Sequence, residues 1–584
     1  MKLFFEEQHY RLEQLEGILD KRYYNPVSKN SNKYKINYVG YFFNSKLNEG
    51  KGDAILIFPK VFVLGTNRKN RKAFGAFDPL EIIDYNPEQL LKASGDKKSV
   101  ELIYEMSTWI YRAIDQYRIN VLSQNISKEA EINTVLSKKD VHSSTEFEII
   151  ESLRLFNKRN KELFTFISRK SNSQKHKINW NRTISKKTAL FSNGKPYYFD
   201  VASTKKQINY DDELIRIFFS VLNYLKTKYG FKFNIDLNYK ISKGLAYERL
   251  EHKASRFLKS IRYKLYSDKM IELYELLSGY FDRIDRSNSK KLEDEFLLVK
   301  DFNIVFEDMI DRLIGDPVNG ELAVLKNHPD GKQLDHIYKE LGYFHKESIY
   351  AIADSKYYQE KTKQGANSKF KQFTYARNVI ALNVDVIKGD KSDGSIRYQD
   401  KEFTEGYHPI PNFFISAFFN KKLTNAQHGL EVHPDKDHFY DVQAHWENRL
   451  FDRDTLFTLS YKINFMFVLS TYVNNNKMIK DKFKEKTRLR FRNEFIEFLY
   501  SRYNFYIFKP KNLDLKTSIE KDFKLLNGIS FKQSEKDELI VGLEKTTNCK
   551  NFSEDEVIGK LKHNWEVAIK NQKEYEPQRN LQGI

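Results

Sequence analysis

Two side chains that could do chemistry together stand at the end of an apolar run near the middle of the chain. Asp354 and Lys356 close the segment SIYAIADSK, which begins at Ser348. Side chains alternate between the two faces of a β-strand, so the carboxylate and the amine are predicted to share one face. Ile349 and Ala351 would pack the opposite face.

A second carboxylate is expected beside the first. Asp330-Gly331 predicts a turn, and the run from Lys332 to Tyr338 reads as a strand that carries Asp335. Adjacent carboxylates repel each other unless a cation neutralises them, and Mg²⁺ does so with oxygen ligands. A neighbouring ammonium could orient an attacking water and offset the charge that builds on a phosphate. The layout therefore predicts metal-dependent phosphodiester hydrolysis.

A third acid is expected from the helix that precedes these strands. Apolar residues recur at helical spacing between Phe302 and Ile314, and Glu307 is the best-placed acid, with Asp308 and Asp311 behind it. A helix-compatible run after the strands carries a cation, an amide and a phenol that could face the same pocket. These are Lys371, Gln372 and Tyr375.

An isolated Asp-x-Lys is more often a strand end that meets solvent than a catalytic motif. Here it follows a helix acid and a strand acid in the chain, and that order favours a nuclease. The order resembles the PD-(D/E)XK nuclease core, and longer segments resemble the LlaJI-type restriction endonucleases over roughly residues 150 to 480. The segments that carry the resemblance are Asp330–Ile337, Ala353–Tyr358, Ile178–Ile184 and His445–Phe451.

The resemblance implies particular roles for these residues. The metal-binding acids would be Asp335 and Asp354, helped by Glu307, and the catalytic lysine would be Lys356. Leu334 precedes the first acid where the signature has proline. The rival match, Pro329-Asp330, is followed by a glycine that suits a turn better than a strand.

The resemblance also implies an activity and partners. It implies a Mg²⁺-dependent restriction endonuclease that cuts foreign double-stranded DNA, often encoded beside an McrB-like motor and cytosine methyltransferases. One alternative is the nuclease subunit of an McrBC-type, modification-dependent system that needs a GTPase partner. Another is a DNA-binding scaffold with an inactive nuclease fold, against which the intact Asp354 and Lys356 argue. Cutting both strands requires two active sites, so a homodimer on DNA is expected.

Composition agrees with an intracellular nucleic-acid enzyme. The 584 residues include 98 Lys and Arg against 79 Asp and Glu, a net charge of +19 that attracts polyanions. A membrane partner is disfavoured because the chain start is acidic, and the apolar run Leu456–Val473, interrupted by Lys462, predicts a buried helix. A single cysteine, Cys549, excludes an internal disulfide. A cytoplasmic location is therefore expected.

The sequence lacks the nucleotide-binding motif G-x-x-x-x-G-K-[ST], so any nucleotide-driven motor would be a partner chain.

The predicted fold class is a multidomain α/β protein. Its centre would be a restriction-endonuclease-like PD-(D/E)XK core, a mixed sheet flanked by helices, with a mixed N-terminal and a mainly helical C-terminal region. The predicted domains are 1–130, a basic helical region 131–285, the nuclease domain 286–475 and a basic region 476–584. The predicted domain 1–130 would open with a charged helix. A strand pair would follow within Asp53–Gly65, where Pro59 separates the two strands. Phe413–Phe419 would add another buried strand to the core.

Several basic segments could contact DNA. Between Lys158 and Lys187 many cations surround Trp180, which could be either a DNA contact or a core tryptophan; the predicted contacts are Lys175, Lys177, Trp180 and Arg182. Asn67–Lys72 is a basic loop. The cations that alternate from Lys480 to Arg492 would form one face on a strand but would spread around a helix.

A zinc site is a rival hypothesis for four histidines that lie close together in the sequence. Their spacing would not place them on one face of a helix. These are His428, His433, His438 and His445.

Overall fold

The computed structural model describes most of the chain and separates it into two compact units. The described residues are 1–29, 31–65, 71–84, 86–94, 97–123, 135–138, 145–161, 170–171, 177–204, 210–229, 233, 235, 239–289, 293–317, 334–344, 348–357, 369–377, 379, 400, 403–404, 406–420, 430–432, 440–443, 448–474, 477–532, 536–545 and 553–570. The first unit comprises Met1–Phe58, Pro79–Tyr111 and Asn133–Val299, and the second comprises Pro59–Asp78, Arg112–Ile132 and Lys300–Ile584.

The first unit contains a five-stranded sheet. Its strands, in order across the sheet, are Lys2–Phe5, Asp53–Phe58, Tyr38–Asn44, Glu295–Lys300 and Val135–Lys138. The chain thus opens in a strand, and the predicted charged helix at the start is wrong. Leu3, Phe4 and Phe5 are all buried, and the strand pairs in parallel with Asp53–Phe58. Consecutive buried apolar residues suit a strand that is covered on both faces. Asp53–Phe58 ends just before Pro59, as predicted.

Helices form much of the rest of the first unit. Their bounds are Pro87–Ser94, Glu146–Arg159, Trp180–Lys186, Tyr210–Tyr229, Leu245–Ile261 and Asp268–Asn288, and the helix Lys97–Ser123 is divided between the two units after Tyr111. Three small antiparallel sheets accompany them: His9–Arg11 with Lys33–Ile36 and Tyr24–Pro26; Lys170–Ser171 with Ser203–Thr204 and Lys177–Ile178; and Leu190–Ser192 with Lys195–Tyr197. Thr145 and Glu148 form a capping box that starts the helix Glu146–Arg159.

The second unit is built on a six-stranded mixed sheet, called the central sheet below. Five strands follow one another in the order His336–Leu341, Ser348–Lys356, Pro411–Phe418, Leu456–Asn464 and Leu430–Val432, and Tyr440–Gln443 also pairs with Leu456–Asn464. The first two strands are antiparallel, whereas the second, third and fourth are mutually parallel. The helices Asn303–Ile314, Phe465–Val473 and Lys477–Arg502 belong to this unit. The predicted strand at Phe413–Phe419 is confirmed.

The predicted helix over Leu456–Val473 is half wrong, because its first nine residues form a central-sheet strand. In that strand the polar residues Ser460 and Lys462 alternate with buried apolar ones, a two-residue period that favours a strand. The helix begins only after Asn464, whose side-chain Oδ1 accepts a hydrogen bond from the Met466 N–H at 3.0 Å. This alternation was the available signal for a strand, and reading the run by its overall hydrophobicity missed it.

The C-terminal region is richer in helix than in strand, but it also contains a four-stranded antiparallel sheet that was not predicted. Its strands, in order, are Ser530–Lys532, Leu539–Glu544, Tyr503–Pro510 and Trp565–Ile569, and its helices are Leu515–Leu526 and Glu554–Leu561. Asp514 caps the first of these helices, because its Oδ2 accepts a hydrogen bond from the Thr517 N–H at 3.1 Å. A separate short hairpin pairs Val63–Leu64 with Lys72–Ala73.

The alternating cations from Lys480 to Arg492 lie on the helix Lys477–Arg502 and so do not form one face. Two of them satisfy free carbonyls at the end of helix Asn303–Ile314. Lys484 Nζ donates to the Gly315 carbonyl at 2.6 Å, and the Arg488 guanidinium donates to the Ile314 carbonyl at 2.6 and 2.9 Å. Cations are favoured there because the helix dipole is negative at its C-terminus.

Candidate active site

Asp354 and Lys356 end the second strand of the central sheet, as the sequence predicts. Asp354 lies opposite Phe414 of the next parallel strand, and its side chain is only 4% exposed. The Lys356 ammonium forms an ion pair with Asp354 Oδ2. The strand therefore holds a carboxylate and an amine together in a largely buried setting, where charge interactions are stronger than in water.

Asp335 precedes the first strand of the sheet, and the register brings it beside Asp354. His336 pairs with Ala353 in the antiparallel register, so Asp335 lies next to Asp354. Asp335 Oδ2 accepts a hydrogen bond from the Ser355 N–H at 3.0 Å. Burial, the charges of Asp354 and Glu307, and a hydrogen bond with the Asp354 carboxyl raise the pKa of Asp335 well above its usual range. Two carboxyl groups in such contact share a proton or a cation.

Glu307 is the helix acid that faces this pair. Burial, followed by repulsion from Asp354, raises its pKa to about 7, although Lys356 and Lys371 act in the opposite direction. The other two helix candidates have different partners. Asp308 binds the Tyr472 hydroxyl and Arg312, and Asp311 faces His336. Of the three candidates, Glu307 is the one whose environment includes the acid pair.

Residues 369–377 form a helix that brings a cation and an amide toward the acids. Lys371 Nζ lies over the Tyr375 ring, 5.4 Å from its centroid. The Tyr375 side chain raises the pKa of Lys371, and the charges of Asp335 and Asp354 add to this shift. Gln372 is 1% exposed, and its Nε2 has no hydrogen-bond partner among the described residues. A buried amide without a partner costs free energy, so this donor is suited to a ligand oxygen.

The remaining predicted DNA contacts belong to the first unit. Trp180 begins a short helix and is 54% exposed, so the alternative that it is a core tryptophan is wrong. Arg182 is half-buried on the same helix, and Lys177 lies in the strand Lys177–Ile178. Lys175, like the four clustered histidines and most of the loop Asn67–Lys72, lies outside the described residues.

Sequence reasoning missed the buried contacts that support the acid pair. The His336 ring is fully buried; its Nδ1 lies 3.4 Å from Asp311 Oδ1, and its Nε2 binds the Ser355 hydroxyl. Ser355 in turn donates its backbone N–H to Asp335. These contacts tie the helix and both strands together directly beneath the acids. A histidine inside an apolar strand, next to a candidate acid, was the available signal.

The donor set suits a hard divalent cation. Asp354 is buried and Asp335 is half-buried, and their carboxyl groups contact each other. Mg²⁺ is commonly held by one or two carboxylates while it keeps several waters. Within the part of the chain that the structure describes, no group of three or more His, Cys, Asp or Glu side chains is arranged as a metal site. The two aspartates are the principal candidate ligands because their carboxyl groups contact each other, with Glu307 beside them.

Fold and site together define a mixed α/β protein with a cluster of acids and a lysine on adjacent strands. The chain belongs to the LlaJI restriction endonuclease family, whose model matches residues 87–392, so a nuclease role follows from the family and the predicted resemblance is confirmed. The match includes Glu307, Asp335, Asp354 and Lys356.

Other comparisons are distant. No curated protein matches the chain. A solved structure described as a refined half-complex of Thermococcus gammatolerans McrB AAA+ hexamers with bound McrC aligns with 83% of this chain and 99% of the other, at 14% identity and a TM-score of 0.25. None of the described helices is both long and apolar enough to cross a membrane.

The raised pKa of Glu307 predicts a pH-dependent stability of the metal-free protein. The folded state keeps a proton that the unfolded chain loses between the ordinary pKa of 4.5 and about 7, so the free energy of unfolding should fall as pH rises through this window. Glu307→Gln should weaken that fall and raise the melting temperature at pH 8. Thermal melts in EDTA at pH 5 and pH 8 measure the effect. Glu520→Gln, at an exposed helix position, is the control; equal behaviour of the two variants would contradict the prediction.

Proposed function

We propose that this chain is a Mg²⁺-dependent restriction endonuclease with a PD-(D/E)XK core that hydrolyses phosphodiester bonds in foreign double-stranded DNA. The observation that carries the proposal is the joining of Asp335 and Asp354 on adjacent antiparallel strands, with Lys356 ion-paired to the second acid. Paired buried carboxylates beside a lysine suit the binding of a cation and the stabilisation of charge on a phosphate. A cytoplasmic location is proposed with it.

Each residue has a proposed task. Asp335 and Asp354 would hold the cation, and Glu307 would add negative charge beside them. When bound, the cation supplies positive charge that neutralises the acids and promotes ionisation of water. Lys356 would orient the attacking water and offset charge on the phosphate. The free Nε2 of Gln372 would donate to a phosphate oxygen or to that water.

Cleavage of phage DNA tests this proposal. The chain is incubated with unmethylated and cytosine-methylated DNA, with Mg²⁺ or with EDTA. Cutting of the unmethylated DNA that requires Mg²⁺ is the expected result, and protection by a cognate methyltransferase would support a restriction role. Cutting of methylated DNA alone would instead indicate a modification-dependent enzyme. Absence of Mg²⁺-dependent cutting under all conditions, including those with a partner, would contradict the proposal.

A second candidate, a nuclease that works with an McrB-like GTPase, is favoured by an exposed apolar surface in the first unit. Seven large apolar side chains between residues 178 and 199 are exposed: Ile178, Trp180, Ile184, Leu190, Phe191, Tyr197 and Phe199. Exposed apolar residues clustered in this way mark interaction sites. The test adds the neighbouring gene's product and GTP to the cleavage assay. Phe191→Ser should reduce cutting that depends on the partner and leave unaided cutting unchanged.

A further inference from the structure

The helix Leu245–Ile261 of the first unit carries a row of cations on its exposed face. Arg249, Lys253 and Arg256 are spaced at i, i+4 and i+7, and Lys259 continues the row; all four are exposed. Residues at this spacing lie on one side of a helix. The opposite side is buried through Tyr247, Ala254, Leu258 and Ile261. The four cations are called the cationic stripe below.

The cationic stripe is not neutralised by the surrounding described residues. Within the ranges that the structure describes, none of the four side chains forms a hydrogen bond or an ion pair. From Lys243 to Lys269 the chain has eight Lys and Arg but three Asp and Glu, and one of those acids, Glu251, interacts with His252 and Lys228 rather than with the stripe. Such a row is electrostatically open to an anionic partner.

Two tyrosines extend the surface beyond the helix end. Tyr263 is 84% exposed and Tyr266 is 92% exposed, the latter being the most exposed large hydrophobic side chain among the described residues. The Arg262 guanidinium lies over the Tyr263 ring, 5.7 Å from its centroid, which is within the reach of about 6 Å for a cation–π contact. Exposed tyrosines beside cations offer both a flat face and a hydroxyl donor, which suits contact with sugars and phosphates.

The dimensions of the stripe fit a nucleic-acid backbone. Arg249 and Lys259 are separated by ten residues, or about 15 Å along the helix axis. One strand of B-form DNA places about four phosphates along that distance. The row is therefore long enough to meet several phosphates of one strand. Lys and Arg side chains contact phosphates most often, so the row is suited to following a backbone.

We propose that the cationic stripe, with Tyr263 and Tyr266, is a DNA-binding surface that holds duplex DNA by its phosphates independently of sequence. The inference rests on the proposed function, because it takes the nuclease substrate as its ligand. It assigns DNA binding to a helix outside the acid cluster and outside the segment around Trp180. The role of the cationic stripe would be to retain the duplex while the nuclease site acts.

Binding at several salt concentrations tests the proposal. The full chain carrying Asp354→Asn, which prevents cutting, is compared with the same chain carrying R249Q, K253Q and R256Q. The triple variant should bind a duplex about tenfold more weakly at moderate salt, and the slope of log affinity against log salt should fall by about 3. The control replaces Lys516, Lys521 and Lys524, exposed cations of the helix Leu515–Leu526, with glutamine. This control variant also loses three positive charges, but the slope of log affinity against log salt should change by less than one.

Lysine labelling supplies an independent readout. Duplex DNA should protect Lys253 and Lys259 from an amine-reactive reagent and leave Lys516 and Lys521 reactive. Equal loss of binding in both triple variants, unprotected stripe lysines, or no duplex binding by the parent chain would each overturn the proposal. Matching circular dichroism and melting temperatures exclude misfolding as the cause of a loss. If the chain without substitutions never cuts DNA but the stripe is required for duplex binding, the nuclease function is refuted and the DNA-binding surface stands.

Discussion

Lys356→Ala and Asp354→Asn are each expected to lower the DNA-cleavage rate by at least about 100-fold. Lys356 is the amine that contacts the acid pair, and its loss removes the positive charge that offsets charge on the phosphate. Asp354→Asn keeps the shape of a buried side chain but removes a charged oxygen that would hold the cation. Duplex binding should change little in either variant, because neither belongs to an extended basic surface.

Single-turnover cleavage with Mg²⁺, measured beside an equilibrium binding assay, separates a loss of cleavage rate from a loss of duplex binding. Lys339→Ala is the matched control for Lys356→Ala, because Lys339 is an exposed lysine on the neighbouring strand of the same sheet. It should cut at close to the parental rate. If Lys356→Ala retained the parental rate while Asp354→Asn lost it, the lysine would have no part in the reaction. If both retained it, the active site would lie elsewhere.

Arg492→Ala is expected to reduce the free energy of unfolding of the second unit by about 3–5 kcal/mol. The Arg492 side chain is 4% exposed. Its guanidinium donates to the Leu341 carbonyl and, at 3.1 Å, to the Gly342 carbonyl, and it lies 3.5 Å from Glu340. Removing it would leave two carbonyls and a carboxylate without their cation in a buried setting. Those groups terminate the strand His336–Leu341, which begins beside Asp335.

Urea unfolding followed by fluorescence measures this loss. Arg490→Ala is the control on the same helix, where the arginine pairs with Glu494 at 2.8 Å across one helical turn and is partly exposed. Partly exposed pairs contribute little, so its effect should stay below about 1 kcal/mol. Equal midpoints for the two variants would show that Arg492 does not support the strand.

The sequence by itself determined the order of the chemistry. The two-residue alternation in Ser348–Lys356 placed Asp354 and Lys356 on one face. The turn signal at Asp330-Gly331 predicted a strand over Lys332–Tyr338 that carries Asp335, and the structure has Asp335 directly before the strand His336–Leu341. The helical stripe from Phe302 also defined the helix that carries Glu307, so the helix acid was found among three candidates. Local periodicity suffices for these features because each element is amphipathic or bounded by turn residues.

Only the tertiary structure decided which side chains meet. Asp311 and His336 lie 25 residues apart, and their contact depends on how the helix packs on the sheet. The cations from Lys480 to Arg492 could not be assigned from spacing, because their roles follow from the carbonyls that happen to face the helix. Leu456–Val473 was predicted to be one helix, although the polar residues that alternate as far as Asn464 carried the period of a strand. Long-range packing completed the site, because it brought elements that are distant in the sequence into contact.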